Sequence, residues 1–199
     1  MRLLYVYPRW HRVSFTLVAE KHIEYMRRAG TEVYEMDELA FHSFIPVVKY
    51  TLLLQPAVYT MHRALESRAN VLGQVRPEYL EWWYNMFNGI IGFDVADSDR
   101  VGDLACRAVS GIEVLAVPST FARDAWLNSC TGIDVRVVPH GLDPEWYSFG
   151  NIWESAPPSA IHPAVLELYL YKVKRRVKVV LFWLWHSPER KGWSEVREV

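Results

Sequence analysis

Five short clusters of polar residues carry the side chains in this chain that could do chemistry, and each directly follows an apolar run of strand length. They are Pro8-Arg9-Trp10-His11-Arg12, Gln74, the stretch Asp94 to Asp99, Ser119-Thr120 and His140-Gly141. A carboxylate of the Asp94 to Asp99 stretch, if half-buried in a crevice, accepts hydrogen bonds and can take up a proton. Arg9, His11, Ser119, His140 and Gly141 would add a cation, two imidazoles, a hydroxyl and an open stretch of backbone to the same crevice. Structural roles compete at each position. Ser119 suits the N-cap of a helix, the Asp97-Ser98-Asp99 run contains at least one cap, Asp94 can satisfy loop amides, and His140 can hold a turn.

The elements that must position these residues alternate strand-like and helical patterns, which is the signature of an α/β domain. Leu3-Leu4-Tyr5-Val6-Tyr7 is a continuous apolar run and reads as a strand covered on both faces. A helix follows over about 15–29, with Arg27-Arg28 at its carboxyl end and Gly30 just beyond as C′ residue. Further strands are expected at 31–36, 71–75, 89–94, 112–117 and 135–138. The stretch 41–68 is cut by Pro46 and Pro56 and reads as two helices. Pro77 opens a helix through Trp82-Trp83, a pair that reads as core or as the wall of an acceptor cleft. The Asp97–Asp99 run caps a helix over 100–109, ended by Gly111, and Ser119 caps another over 120–129. Gly141 allows a left-handed or close-approach conformation after the sixth strand.

About six parallel strands with intervening helices give a doubly wound, mainly parallel Rossmann-like sheet. Its ligand crevice should lie beyond the carboxyl ends of the strands, where helix amino termini and unpaired amides converge. The domain covers residues 1–150. Residues 151–176 read as a Pro-rich linker with a short helix over 164–171, and 177–199 as a strand, a polar loop and a helix start.

Composition narrows the function further. The chain has 199 residues, 51% of them hydrophobic, which excludes disorder and suits one domain or one domain plus a fragment of another. Net charge is −1, so no global field draws the protein to nucleic acid. The basic run Lys172, Lys174, Arg175, Arg176, Lys178 lacks an aromatic stacking motif and reads as a solvated helix end. No apolar run approaches the ~20 residues of a membrane span, and the amino terminus lacks the features of a signal peptide, so a cytoplasmic protein is expected. Cys106 and Cys130 cannot supply four zinc ligands and are expected to be reduced and buried, and no metal site is expected. No glycine precedes Gly30, which removes the dinucleotide fingerprint, and Walker, HExxH and G-x-S-x-G patterns are absent. His22, His42 and His62 stand isolated and read as structural or solvated.

Three segments taken in order, Val117-Pro118-Ser119-Thr120-Phe121-Ala122-Arg123, Val137-Val138-Pro139-His140-Gly141-Leu142-Asp143 and Arg190-Lys191-Gly192, resemble the glycosyltransferase family 4 group of the GT-B superfamily. The resemblance is weak before residue 70 and fuller from Gly89 onward. It implies transfer of a sugar from a nucleotide-diphosphate donor to an acceptor, with retention and without a required metal or other cofactor. Residues 1–150 would be the acceptor-side domain and 177–199 the beginning of the donor domain. Lys191 would be the diphosphate lysine, with Arg190 beside it and His186 where the family places another basic residue. A helix amino terminus and cations would stabilise the leaving diphosphate. Asp94 and Asp97 lie in the stretch that corresponds to the family's polar element facing the transferred sugar, and the resemblance implies that they orient acceptor hydroxyls or assist proton transfer.

The chain also departs from that pattern. Arg9 to Val13 replace the glycine-rich first loop, and the family's E-x7-E segment is expected beyond residue 199. These departures imply a transferase that acts with a second subunit or in degenerate form. The alternative is a non-catalytic glycan- or protein-binding module derived from a transferase. Phe182, Trp183 and Trp185 would expose an apolar patch unless covered, so the 177–199 tail is expected to pair with a second copy or another subunit.

Overall fold

A computed structural model describes residues 1–72, 77–141, 163–176 and 192–194 of the chain. Six strands, β1 (Arg2–Tyr7), β2 (Glu32–Asp37), β3 (Thr51–Leu54), β4 (Gly89–Phe93), β5 (Val114–Val117) and β6 (Val135–Val137), form one sheet in the order β2-β1-β3-β4-β5-β6. Every pairing is parallel. Helices α1 (Ser14–Arg28), α2 (Glu38–Phe41), α3 (Ala57–Leu72), α4 (Pro77–Tyr84), α5 (Asp103–Val109) and α6 (Thr120–Ser129) fill the connections. This is the Rossmann-like, doubly wound α/β architecture expected above. The order reverses between β1 and β3, so the loops after those two strands diverge and leave a crevice at their carboxyl ends.

The alternation of side chains explains why β1 is apolar at every position. Leu4 and Val6 face one side of the sheet, where Leu52, Leu54 and Ile90 pack with Phe41 of α2, Met61 and Ala64 of α3, Trp83 of α4 and Ala108 of α5. Leu3, Tyr5 and Tyr7 face the other, where Leu53 and Phe93 pack against Ala19 and Ile23 of α1. A third cluster joins Leu115 and Val117 of β5 to Ala122 and Trp126 of α6. The Trp82-Trp83 pair is split between two environments, with Trp83 fully buried and Trp82 52% exposed.

Local chemistry ends and caps these elements largely as the residue types require. Gly30, with φ +84°, takes the left-handed conformation that closes α1. The Ser119 hydroxyl accepts the Ala122 N–H at 3.1 Å and caps α6. Gly92 has a packing role. A Cβ there would lie 2.7 Å from both Ala57 Cβ and Ile112 Cδ1, so only glycine lets the start of α3 settle onto β4.

Four expectations are corrected. The third strand is Thr51–Leu54, not 71–75, because Val71 and Leu72 complete α3; Gln74 lies outside the described residues. Thr51-Leu52-Leu53-Leu54 forms a strand because both neighbours, β1 and β4, offer a full register to it. The Asp97–Asp99 run does not cap the next helix, since α5 begins at Asp103 behind Gly102. Gly141 is neither left-handed nor closely approached by other atoms. Cys106 of α5 and Cys130, which follows α6, are joined in a disulfide rather than reduced. Their Cα atoms stand 5.3 Å apart, inside the range that a bridge spans, and both cysteines lie in the cluster that holds Val109 of α5 and Trp126 of α6.

The chain divides into two compact units, Met1–Gly141 and Leu142–Val199. In the second, α7 (Pro163–Arg175) carries Lys172, Lys174 and Arg175 in its last turn. No helix among the described residues is long and apolar enough to cross a membrane.

Candidate functional site

The crevice expected at the carboxyl ends of the strands is present within the first unit. It is a cleft of about 380 Å³ whose walls include Phe15 of α1, Tyr59 and His62 of α3 and Leu104 of α5, with Asp94 and Asp97 on the β4–α5 loop. Asp94 follows the last residue of β4 and is 7% exposed. Its Oδ2 accepts the Val58 N–H at 2.9 Å and its Oδ1 accepts the Val95 N–H at 2.8 Å, so the carboxylate holds the first turn of α3 against the end of β4. Burial pushes its pKa up to about 6, against the pull of the Val58, Val95 and Ala57 amides, and the charge of Asp97 adds to the rise. At neutral pH Asp94 is therefore mostly ionised yet close to its proton-exchange range. A carboxylate offers about four acceptor positions, and these amides leave capacity for one further donor.

Asp97 is exposed at the same cleft. Tyr59, 48% exposed, presents an aromatic ring, and His62 Nδ1 lies 3.6 Å from Glu66 Oε2 on the outward side of α3. Among the described residues, no group of three or more His, Cys, Asp or Glu is placed to share a metal. The arrangement can grip a hydroxyl-bearing ligand, with carboxylates accepting from hydroxyls while an aromatic ring covers an apolar face.

The other candidates sit apart from this lining. Arg9 faces Glu35 at 4.0 Å, and Glu35 also takes the Tyr7 hydroxyl at 2.7 Å and Arg27 at 2.8 Å. His11 lies in the exposed turn before α1, where its backbone oxygen accepts from the Thr16 hydroxyl. That turn is fastened to the end of β2 by the Trp10 N–H, which donates to Asp37 Oδ2 at 3.0 Å. Ser119 is engaged as a cap, and Gly141 closes the first unit. His186, Arg190 and Lys191 lie outside the described residues, as do the 177–184 strand and the apolar patch of the tail.

His140 belongs to a second cluster that the sequence reading missed. Its ring stacks on His22 of α1 with centroids 6.4 Å apart and lies 5.5 Å from the ring of Phe93. Beneath it runs a chain of polar groups. Gln55 Nε2 donates to the Phe15 carbonyl at 3.2 Å, so Gln55 Oε1 must accept from the Tyr5 hydroxyl. Tyr5 in turn is left to accept from His22 Nδ1 at 2.9 Å. This ordering leaves the lone pair of His22 on Nε2. Burial, and secondarily the neighbouring His140, hold the His22 pKa below its ordinary value, so the ring is neutral at pH 7.

The sequence does not single out Tyr59 or Gln55 and offers His62 only as an isolated structural or solvated histidine, because 41–68 reads as two helices where the fold has β3 and the start of α3. Once Thr51–Leu54 is a strand, Gln55-Pro56 is its terminal loop and α3 begins at the crevice.

No family model and no solved structure matches the chain. The chain is similar to "Uncharacterized protein 356" of Sulfolobus islandicus rod-shaped virus 1, with 24% identity over 191 residues. The match covers 96% of this chain and 49% of that protein, so the chain spans about half the length of the curated relative it matches.

Proposed function

We propose that the first unit is the acceptor-side domain of a glycosyltransferase-like protein, which transfers a sugar from a nucleotide-diphosphate donor to a hydroxyl-bearing acceptor. The observation that carries this reading is the cleft at the strand ends, with the buried Asp94 carboxylate and Asp97 facing one space beside Tyr59. Asp94 would accept the acceptor hydroxyl and draw on its proton as the new bond forms, aided by a pKa lifted to about 6. Asp97 would orient a neighbouring hydroxyl. Further support comes from the parallel Rossmann-like sheet and from the order of the three motif segments ending at Arg190-Lys191-Gly192. Lys191, with Arg190 and His186, would bear on the donor diphosphate. The cytoplasm is the proposed compartment; the Cys106–Cys130 bridge fits it in a host that keeps intracellular disulfides.

A second reading, a non-catalytic glycan-binding module, is favoured by one feature: the amides of α3 already occupy much of Asp94. A thermal-shift screen against nucleotide-diphosphate sugars, repeated on Lys191→Ala, separates the two. A donor at a hundredfold its Kd stabilises by ~2.7 kcal/mol, roughly 5–10 °C in a chain of this size. A shift lost in Lys191→Ala supports transfer. The absence of a shift with every donor rejects donor binding by this chain and leaves the binding module.

A further inference from the structure

The character of the cleft constrains its ligand more closely than the reaction class does. Among the described residues, its lining carries no lysine or arginine. His62, on the same lining, lies 3.6 Å from Glu66 Oε2. Two carboxylates, Asp94 and Asp97, share the space, and Asp94 is 7% exposed, so water screens its field poorly. The remaining wall is apolar, formed by Phe15, Val58, Tyr59 and Leu104; Tyr59 and Leu104 are about half exposed, and Arg63, outside the lining, holds its guanidinium 5.1 Å from the centroid of the Tyr59 ring.

From this juxtaposition, and resting on the reading of the cleft as an acceptor site, we infer that the acceptor is an uncharged glycoside with an apolar aglycone. Its hydroxyls meet the two carboxylates, its aglycone lies on Tyr59 and Leu104, and acceptors bearing a phosphate near the reacting hydroxyl are excluded. Stacking and area burial favour a ring with an apolar face. The buried Asp94 carboxylate, with the exposed Asp97 beside it, repels an anionic group added near the reacting hydroxyl by enough to weaken binding at least about tenfold.

The test is calorimetric titration of the full chain at pH 7.5 with phenyl β-glucoside and phenyl β-mannoside, each compared with its 6-phosphate. The expected result is binding of a neutral glycoside with at least about tenfold weaker binding of its phosphate. Asp97→Asn, at an exposed position, should reduce that discrimination at least about threefold by removing one of the two charges. Binding of the phosphate as tightly as its parent would overturn this inference and leave the acceptor site standing. Binding of neither compound would overturn the acceptor site and the inference together. Discrimination unchanged in Asp97→Asn would overturn charge as its cause.

Discussion

The carboxylate of Asp94, at the end of β4, accepts the backbone N–H of Val58 in the first turn of α3 at 2.9 Å. One side chain thus joins the strand that presents the candidate site to the helix that walls it. Function and stability are coupled at this residue, and the coupling has a sign.

Because burial raises the Asp94 pKa to about 6, above the unfolded value near 4, the folded state holds this proton more tightly than the unfolded chain does. The stability it contributes is fully present below about pH 4 and is lost as pH rises through about 6, by ~3 kcal/mol in all. Urea denaturation of wild type and Asp94→Asn from pH 4 to 7.5 should show the difference between them changing in that direction over that window. A difference independent of pH would contradict the account of Asp94.

Gly92 sets the distance on which the site depends. Gly92→Val would drive a side chain into Ala57 and Ile112, costing about 1–3 kcal/mol and moving the start of α3 off β4. The expected outcome is a lowered melting temperature together with weaker glycoside binding. Destabilisation with unchanged binding would show that the α3–β4 junction does not shape the cleft.

Much of this fold is legible in the sequence. β1, β2 and β4 to β6 stand out as apolar or β-branched runs, and Pro77, Gly30 and Ser119 mark helix ends by chemistry that needs no tertiary context. β3 is different. Leu52-Leu53-Leu54 favours helix as readily as strand, and what decides it is the pairing with β1 and β4, which no local pattern records. The site divides in the same way. Asp94 is found by counting to the end of a visible strand, whereas Tyr59 becomes visible, and His62 joins the cleft, only when the start of α3 is known. The Cys106–Cys130 bridge, between cysteines 24 residues apart, is equally beyond local reading.

That bridge closes a loop whose entropy contributes ~3 kcal/mol. Cys130→Ser should lower the melting temperature by on the order of 10 °C, measured by calorimetry without reductant. Titration of two free thiols in the unreduced, denatured wild type would contradict the bridge.

His22 should titrate below 6.5 when its Cε1 proton is followed by NMR, chiefly because it is buried and secondarily because His140 faces it. The neutral ring contributes stability above about pH 6.5 that is lost as pH falls through its lowered midpoint. In His140→Ala the midpoint should rise while staying below 6.5, since burial remains. An unchanged midpoint would show that the two rings do not interact.

The central claim, that the cleft at the end of β4 receives a hydroxyl-bearing ligand, is tested most directly by mapping backbone amide shifts as phenyl β-glucoside is titrated into the full chain. The account predicts perturbations concentrated at Val58, Tyr59, Val95 and Asp97, and their loss in Asp94→Asn at a pH where the variant remains folded. Perturbations centred elsewhere, or the same pattern in Asp94→Asn, would contradict it.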